Sequence, residues 1–144
     1  MNALRHKTHV GLVLTFGIGA VLMGMSLAFA ASETVTLSGN EEVPAVTTSA
    51  SGSSTINVAA DKTVSGSVTT KGIAVTAAHI HEGEVGKNGP VVIALTKTAD
   101  DKWAVPDGAK FSDAQYESYK AGKFYVNVHS AANKNGEIRA QLKP

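Results

Sequence analysis

The chain has 144 residues, 43% hydrophobic and only 6% aromatic, with 14 glycines. That length excludes a multidomain enzyme, and the composition favours small β-formers and turns over long helices. Cysteine is absent, which excludes disulfides, thiolate nucleophiles, Cys-ligated zinc and iron–sulfur clusters. The formal net charge is +1 and falls to −1 without Arg5 and Lys7, so there is no electrostatic case for nucleic acid or for an anionic membrane surface as partner.

Arg5 and Lys7 precede an uncharged apolar stretch from Val10 to Phe29, and Ala28-Phe29-Ala30 forms an A-x-A cleavage site. Residues 1–30 therefore read as a secretory signal peptide, and residues 31–144 as one exported domain, periplasmic or secreted. An apolar run of about 20 residues is also near the length that spans a bilayer, so an uncleaved anchor is the alternative. Gly17, Gly19 and Gly24 weaken a permanent helix there. Two of the five histidines and all three methionines lie in this segment.

Beyond it, apolar residues recur at a spacing of two in short runs broken by Gly, Asn, Asp, Pro or Ser, an all-β pattern. Strands are predicted over 34–38, 54–60, 63–69, 75–81, 90–96, 123–130 and 137–142, with a weaker one around Trp103. Residues 49–54, rich in Ser and Gly, are predicted to form a surface loop. Asp61-Lys62 makes a tight link between the second and third strands, and Asn135-Gly136 ends a turn between the last two in which Gly or Asn takes positive φ. One helix is predicted at 112–121, with Ser112 as N-cap, Gln115 completing a capping box and Gly122 as the stop. Trp103 reads as a cover of the core or an edge. Seven or eight short antiparallel strands in one domain predict a β-sandwich of immunoglobulin-like or Greek-key type.

The chemistry concentrates in the three remaining histidines. In Ala78-His79-Ile80-His81, alternation turns Ile80 inward and both histidines to the opposite face. In Phe124-Tyr125-Val126-Asn127-Val128-His129, it turns Tyr125, Asn127 and His129 outward. Folding the last hairpin places Glu137 opposite His129, so one outward patch is expected to carry His79, His81, His129, Glu137 and Arg139. Histidines at i and i+2 on a strand sit about 6.5–7 Å apart at Cα, a spacing from which both rings reach one ion at about 2.0–2.1 Å. If the two strands are neighbours, three imidazoles converge on a site suited to copper or zinc; without Met or Cys it is not a blue-copper site. If they are not, the histidines are surface polar residues.

The segment 82–90 carries Glu82, Glu84 and three glycines; it either binds a cation or positions a partner, or is a structured connection in which Gly83, Gly86 and Gly89 supply unusual φ values. No helix start follows, so it is not a phosphate cradle, and the serines lack a nucleophile-elbow pattern. No catalytic residue is assigned.

Four motifs in order carry a family resemblance: Leu37-Ser38-Gly39-Asn40-Glu41-Glu42-Val43-Pro44, then Ala78-His79-Ile80-His81-Glu82-Gly83 with Gly86-Lys87-Asn88-Gly89-Pro90-Val91-Val92, then Tyr125-Val126-Asn127-Val128-His129-Ser130, and Gly136-Glu137-Ile138-Arg139-Ala140-Gln141-Leu142. Over about residues 35–142 the chain resembles the CHRD domain first described in chordin. Ala45 and Ala140 depart from residues common in that family, proline and glycine. The resemblance implies an immunoglobulin-like sandwich and no particular activity. A weaker similarity, to the copper strands of copper/zinc superoxide dismutases, implies copper on His79, His81 and His129 with Arg139 guiding an anion. It lacks the bridging histidine, the zinc ligands and the disulfide.

The expectation is thus an exported binding module for a transition metal, copper before zinc, through His79, His81 and His129. Glu82, Asn127, Glu137 and Arg139 are expected as supporting or partner-contact residues. The alternatives are a metal-independent module that docks an extracytoplasmic protein or polysaccharide, and a copper-dependent redox enzyme.

Overall fold

The computed structural model describes residues 32–144, so the signal-peptide reading of residues 1–30 lies outside the described residues. Alternating small apolar and polar residues form nine strands among the described residues: β1 (Glu33–Leu37), β2 (Ser51–Val58), β3 (Val64–Lys71), β4 (Val75–Glu82), β5 (Val91–Ala94), β6 (Thr96–Ala99), β7 (Lys102–Ala104), β8 (Phe124–Ser130) and β9 (Ile138–Gln141). They build two antiparallel sheets, ordered β1-β2-β3-β7-β6 and β5-β4-β8-β9, an all-β sandwich. A short 3-10 turn, Gly39–Glu41, follows β1. Ser38 and Arg139 exchange backbone hydrogen bonds of 3.1 and 3.0 Å, which ties the end of β1 to β9 and joins the two sheets along one side.

Two predicted boundaries change. The Ser/Gly-rich stretch is not a free loop from 49 to 54, because Ser51, Gly52 and Ser53 continue β2 in register with Lys71, Thr70 and Thr69 of β3. The predicted strand 90–96 ends at Ala94, and Thr96–Ala99 changes sheets to pair with β7. Short polar residues on an edge strand give little alternation to read.

The core follows the period-two pattern. Leu37, Val68, Ile80, Phe124, Val126, Val128 and Ile138 are fully enclosed, and Trp103 is buried with them. The one α-helix among the described residues, α1 (Asp113–Lys120), has the expected reciprocal capping box between Ser112 and Gln115, and Gly122 follows it at φ 72°. Phe111 and Tyr119 pack this segment onto Phe124. Gly136 has φ 128°, as the predicted turn allows, whereas Lys62 takes φ 72° as a non-glycine residue, which the reading of a tight Asp61-Lys62 link did not anticipate.

The face of the second sheet turned away from the sandwich core is not a solvent-facing patch. All seven residues of β8 are buried, so Tyr125, Asn127 and His129 lie under cover. The cover is the segment 83–90, folded back on the sheet, and the segment 39–46. Arg139 donates to the carbonyls of Lys87 at 2.9 Å and Glu84 at 3.4 Å and to Asn88 Oδ1 at 3.1 Å, while Asn88 Nδ2 donates to Val43 O at 2.7 Å.

Candidate metal centre

The strand order brings the three histidines together. β8 lies directly beside β4, with His79 opposite Asn127, His81 opposite Tyr125 and His129 opposite Ala77. His79 and His129 are therefore diagonal neighbours on one face, close enough for long side chains to meet. Their ring centroids are 4.8 Å apart, and His81 lies 5.6 Å from His79 and 6.1 Å from His129. One nitrogen from each ring falls within 4.8 Å of the other two, and His79, His81 and His129 are the one such group of ligating side chains among the described residues.

Hydrogen bonds fix which nitrogens are available. A carbonyl oxygen only accepts, so the ring atom facing it carries the proton. His81 Nδ1 donates to Gly89 O at 3.0 Å, and His129 Nδ1 donates to Lys134 O at 2.9 Å. Both rings are thereby held in the tautomer whose Nε2 offers a lone pair, the outer-sphere arrangement typical of metal-ligating histidines. His81 Nε2 is buried and has no hydrogen-bond partner. His129 Nε2 faces His79 Nδ1 at 3.0 Å; since His129 Nε2 is the acceptor, His79 Nδ1 is the donor.

Two ligands on one ion at about 2.0–2.1 Å stand about 2.9 Å apart at a right angle and about 3.3 Å apart at the tetrahedral angle. The observed 3.0 Å between His79 and His129 fits that range. Gathering all three donors from a 4.8 Å spread takes a side-chain adjustment of about 1.5 Å. Burial lowers the basicity of His79 and His81, reinforced at His79 by its two histidine neighbours and opposed at His81 by the Gly89 hydrogen bond. The neutral, ligating form is therefore favoured.

Tyr125 supports His81 from below. The two rings stack at 4.8 Å with 9° between planes, and the Arg139 guanidinium lies 3.4 Å from the Tyr125 ring centre. The Tyr125 hydroxyl accepts from Gly89 N–H at 3.0 Å, so the residue whose carbonyl orients His81 is fixed by the ring that packs against it. Gly89 has to be glycine: a Cβ there would sit 1.7 Å from Glu82 O.

The other expected site residues are placed differently. Glu137 does not face the imidazoles; it accepts from Thr48 Oγ1 at 2.7 Å and from Ser130 Oγ, because the chain is irregular at Gly136 and the Glu137 N–H bonds Val128 O instead of continuing the ladder. Arg139 is 1% exposed and committed to the 83–90 segment, so it clamps the loop and is not a surface charge that guides an anion. Asn127 is buried and donates to Glu42. Glu82 alternates to the strand face opposite the histidines. Glu84 pairs with Lys87 at 2.8 Å and Lys123 at 3.2 Å, which favours the structured-connection reading of that loop. Within it only Gly86 has positive φ; Gly83 and Gly89 serve close approach, Gly83 to the Tyr125 ring and Gly89 to Glu82 O. Tyr125, Gly89 and Glu42 were not foreseen as site residues. The two carbonyl anchors belong to the backbone and leave no signal in sequence.

A three-imidazole cluster, two rings buried and one half-buried, on a two-sheet all-β domain defines a small domain with a candidate transition-metal site. The CHRD domain family profile matches residues 34–142, and the chain belongs to the CHRD domain family. No curated protein and no solved structure matches the chain, so the likeness to dismutase copper strands finds no counterpart among them.

Proposed function

We propose that this CHRD domain is an exported binding protein that takes up a transition metal, copper in preference to zinc, through His79, His81 and His129. The observation that carries the reading is the pair of backbone carbonyls, Gly89 O and Lys134 O, that hold the protons of His81 and His129 away from the cluster and aim both Nε2 atoms at it. An all-imidazole donor set suits copper and zinc over magnesium or calcium, and for a given nitrogen site copper(II) binds more tightly than zinc. His79, half-buried at the rim, is the ligand an entering ion meets first. It must move its Nδ1 proton to Nε2 or turn its ring to bind, a step that leaves its charge unchanged.

Nothing in this reading requires turnover, and the domain acts as a carrier or store of the ion. Calorimetric titration of the domain without a histidine tag, with copper(II) and with zinc(II), tests it. One ion per chain is expected, with copper tighter. Replacing His81 by Ala is expected to weaken binding at least tenfold; unchanged affinity in His81→Ala would remove the assignment.

A further inference from the structure

Beside the histidines, with Asn127 directly opposite His79 on β8, the described residues hold a second buried polar cluster that the metal reading does not use. Glu42, 6% exposed, and Asn127, 2% exposed, are both buried. Asn127 Nδ2 donates to Glu42 Oε2 at 3.3 Å, yet the companion atoms, Glu42 Oε1 and Asn127 Oδ1, have no hydrogen-bond partner. Both orphans are oxygens, and both lie over Gly136. A Cβ on Gly136 would sit 2.5 Å from each polar atom of the Asn127 amide and 2.7 Å from Glu42 Oε1, so three polar atoms gather about one point where the turn leaves no room for a side chain.

Two adjacent acceptors without a donor are a costly arrangement in a buried place. One proton resolves it. We propose that Glu42 is a neutral carboxylic acid in the folded protein, joined to Asn127 by two hydrogen bonds: Asn127 Nδ2–H to Glu42 Oε2, and Glu42 Oε1–H to Asn127 Oδ1. The pair fastens the 39–46 segment to β8 and forms a proton-controlled latch over the sheet face that carries the histidines.

The surrounding charges agree with this reading. Arg139 of β9 is the charge opposite Glu42, and its guanidinium is already committed to the carbonyls of Lys87 and Glu84 and to Asn88 Oδ1. Lys134 lines the same groove of about 240 Å³ as Glu42, Glu41 is its chain neighbour, and Glu137 beyond Gly136 is occupied by Thr48 and Ser130. Burial, the dominant influence, pushes the Glu42 carboxyl up to about 7, against the opposing pull of Arg139 and the Asn127 hydrogen bond. Loss of the proton leaves a carboxylate facing the Asn127 carbonyl and drawn toward Arg139. Arg139 then has a competing acceptor to the loop it clamps, and Asn88, which Arg139 holds, is the residue that ties that loop to Val43 O.

Glu42→Gln tests the pairing, because a glutamine side chain reproduces both hydrogen bonds without a titratable proton. Urea unfolding of wild type and Glu42→Gln is compared from about pH 4, below the ordinary Glu value of 4.5, to about pH 8.5. The two are expected to match at the acid end. At the alkaline end the variant is expected to have the larger folding equilibrium constant, by at least about tenfold. A variant that is less stable than wild type at pH 8.5 would overturn the proposal, since it would show a carboxylate bonded in the folded state. Infrared difference spectra of the folded wild type supply an independent reading: a protonated-carboxyl band at about pH 6 that is absent from Glu42→Gln is expected, and its absence from wild type overturns the proposal even if the variant fails to fold.

Discussion

Tyr125→Phe isolates one link between the loop and the histidine cluster. The phenyl ring keeps its stack on His81 and its contact with Arg139, so what is lost is the hydroxyl, which accepts from Gly89 N–H at 3.0 Å and donates to Gly89 O at 3.4 Å. Tyr125 is 1% exposed, so no water readily replaces it, and the stranded N–H costs about 1–3 kcal/mol of folding free energy. Gly89 O is also the acceptor that orients His81. Loss of such an outer-sphere anchor lowers metal affinity by about 10–100-fold where the metal is bound. Urea denaturation measures the first effect and competitive copper titration the second. Copper affinity unchanged in a variant that is destabilised as expected would refute the coupling of Tyr125 through Gly89 to His81. Stability also unchanged would show that Gly89 N–H needs no phenol.

Gly136→Ala is expected to destabilise the fold by about 2 kcal/mol or more, from a strained φ of 128° combined with collision against Asn127 and Glu42; thermal melting within a degree of wild type would contradict this. The binding form of each histidine is the neutral one, and burial lowers the proton affinity of His79 and His81. Copper affinity is therefore expected to hold steady as pH falls to about 6.5 and to decline only below it; a decline already under way between about pH 8 and 7 would contradict the depressed basicity. By the same sign, these two histidines cost the metal-free fold stability as pH drops below about 6.5, because the unfolded chain then binds more protons. Glu42 acts oppositely: its raised value makes the fold lose stability as pH rises from about 4.5 to about 7. The two contributions overlap, so comparison with Glu42→Gln is needed to separate them.

Much of this arrangement is legible in the residues. Alternation in Phe124-Tyr125-Val126-Asn127-Val128-His129 sorted the core side from the histidine side, and Ser112 with Gln115 marked the helix start. The three histidines stand out in the sequence as outward positions of two strands, and the β4–β8 pairing is what puts them on one face. What alternation does not reveal is cover. A strand face with Tyr, Asn and His reads as solvated, and only the long-range bonds of Arg139 and Asn88 to the 83–90 and 39–46 segments show that it is buried. For the same reason Arg139 and Glu137 read as outward groups beside the imidazoles; Arg139 does lie behind the Tyr125 ring that stacks on His81, but buried. A single irregular residue, Gly136, redirects Glu137 to Ser130 and Thr48, and burial converts Arg139 from a charge at the surface into a loop clamp. Glu42 stood inside a recognised motif with nothing local to distinguish it from Glu41, because its partner is 85 residues away on β8.

The most direct test of the metal reading is calorimetric titration of the untagged domain with copper(II), alongside a variant with His79, His81 and His129 all replaced by Ala. One copper per chain, bound tightly by the wild type and lost in the variant, is the predicted result. Equal weak binding by both proteins would contradict it and leave the three histidines as a buried polar cluster of a domain that binds no metal there.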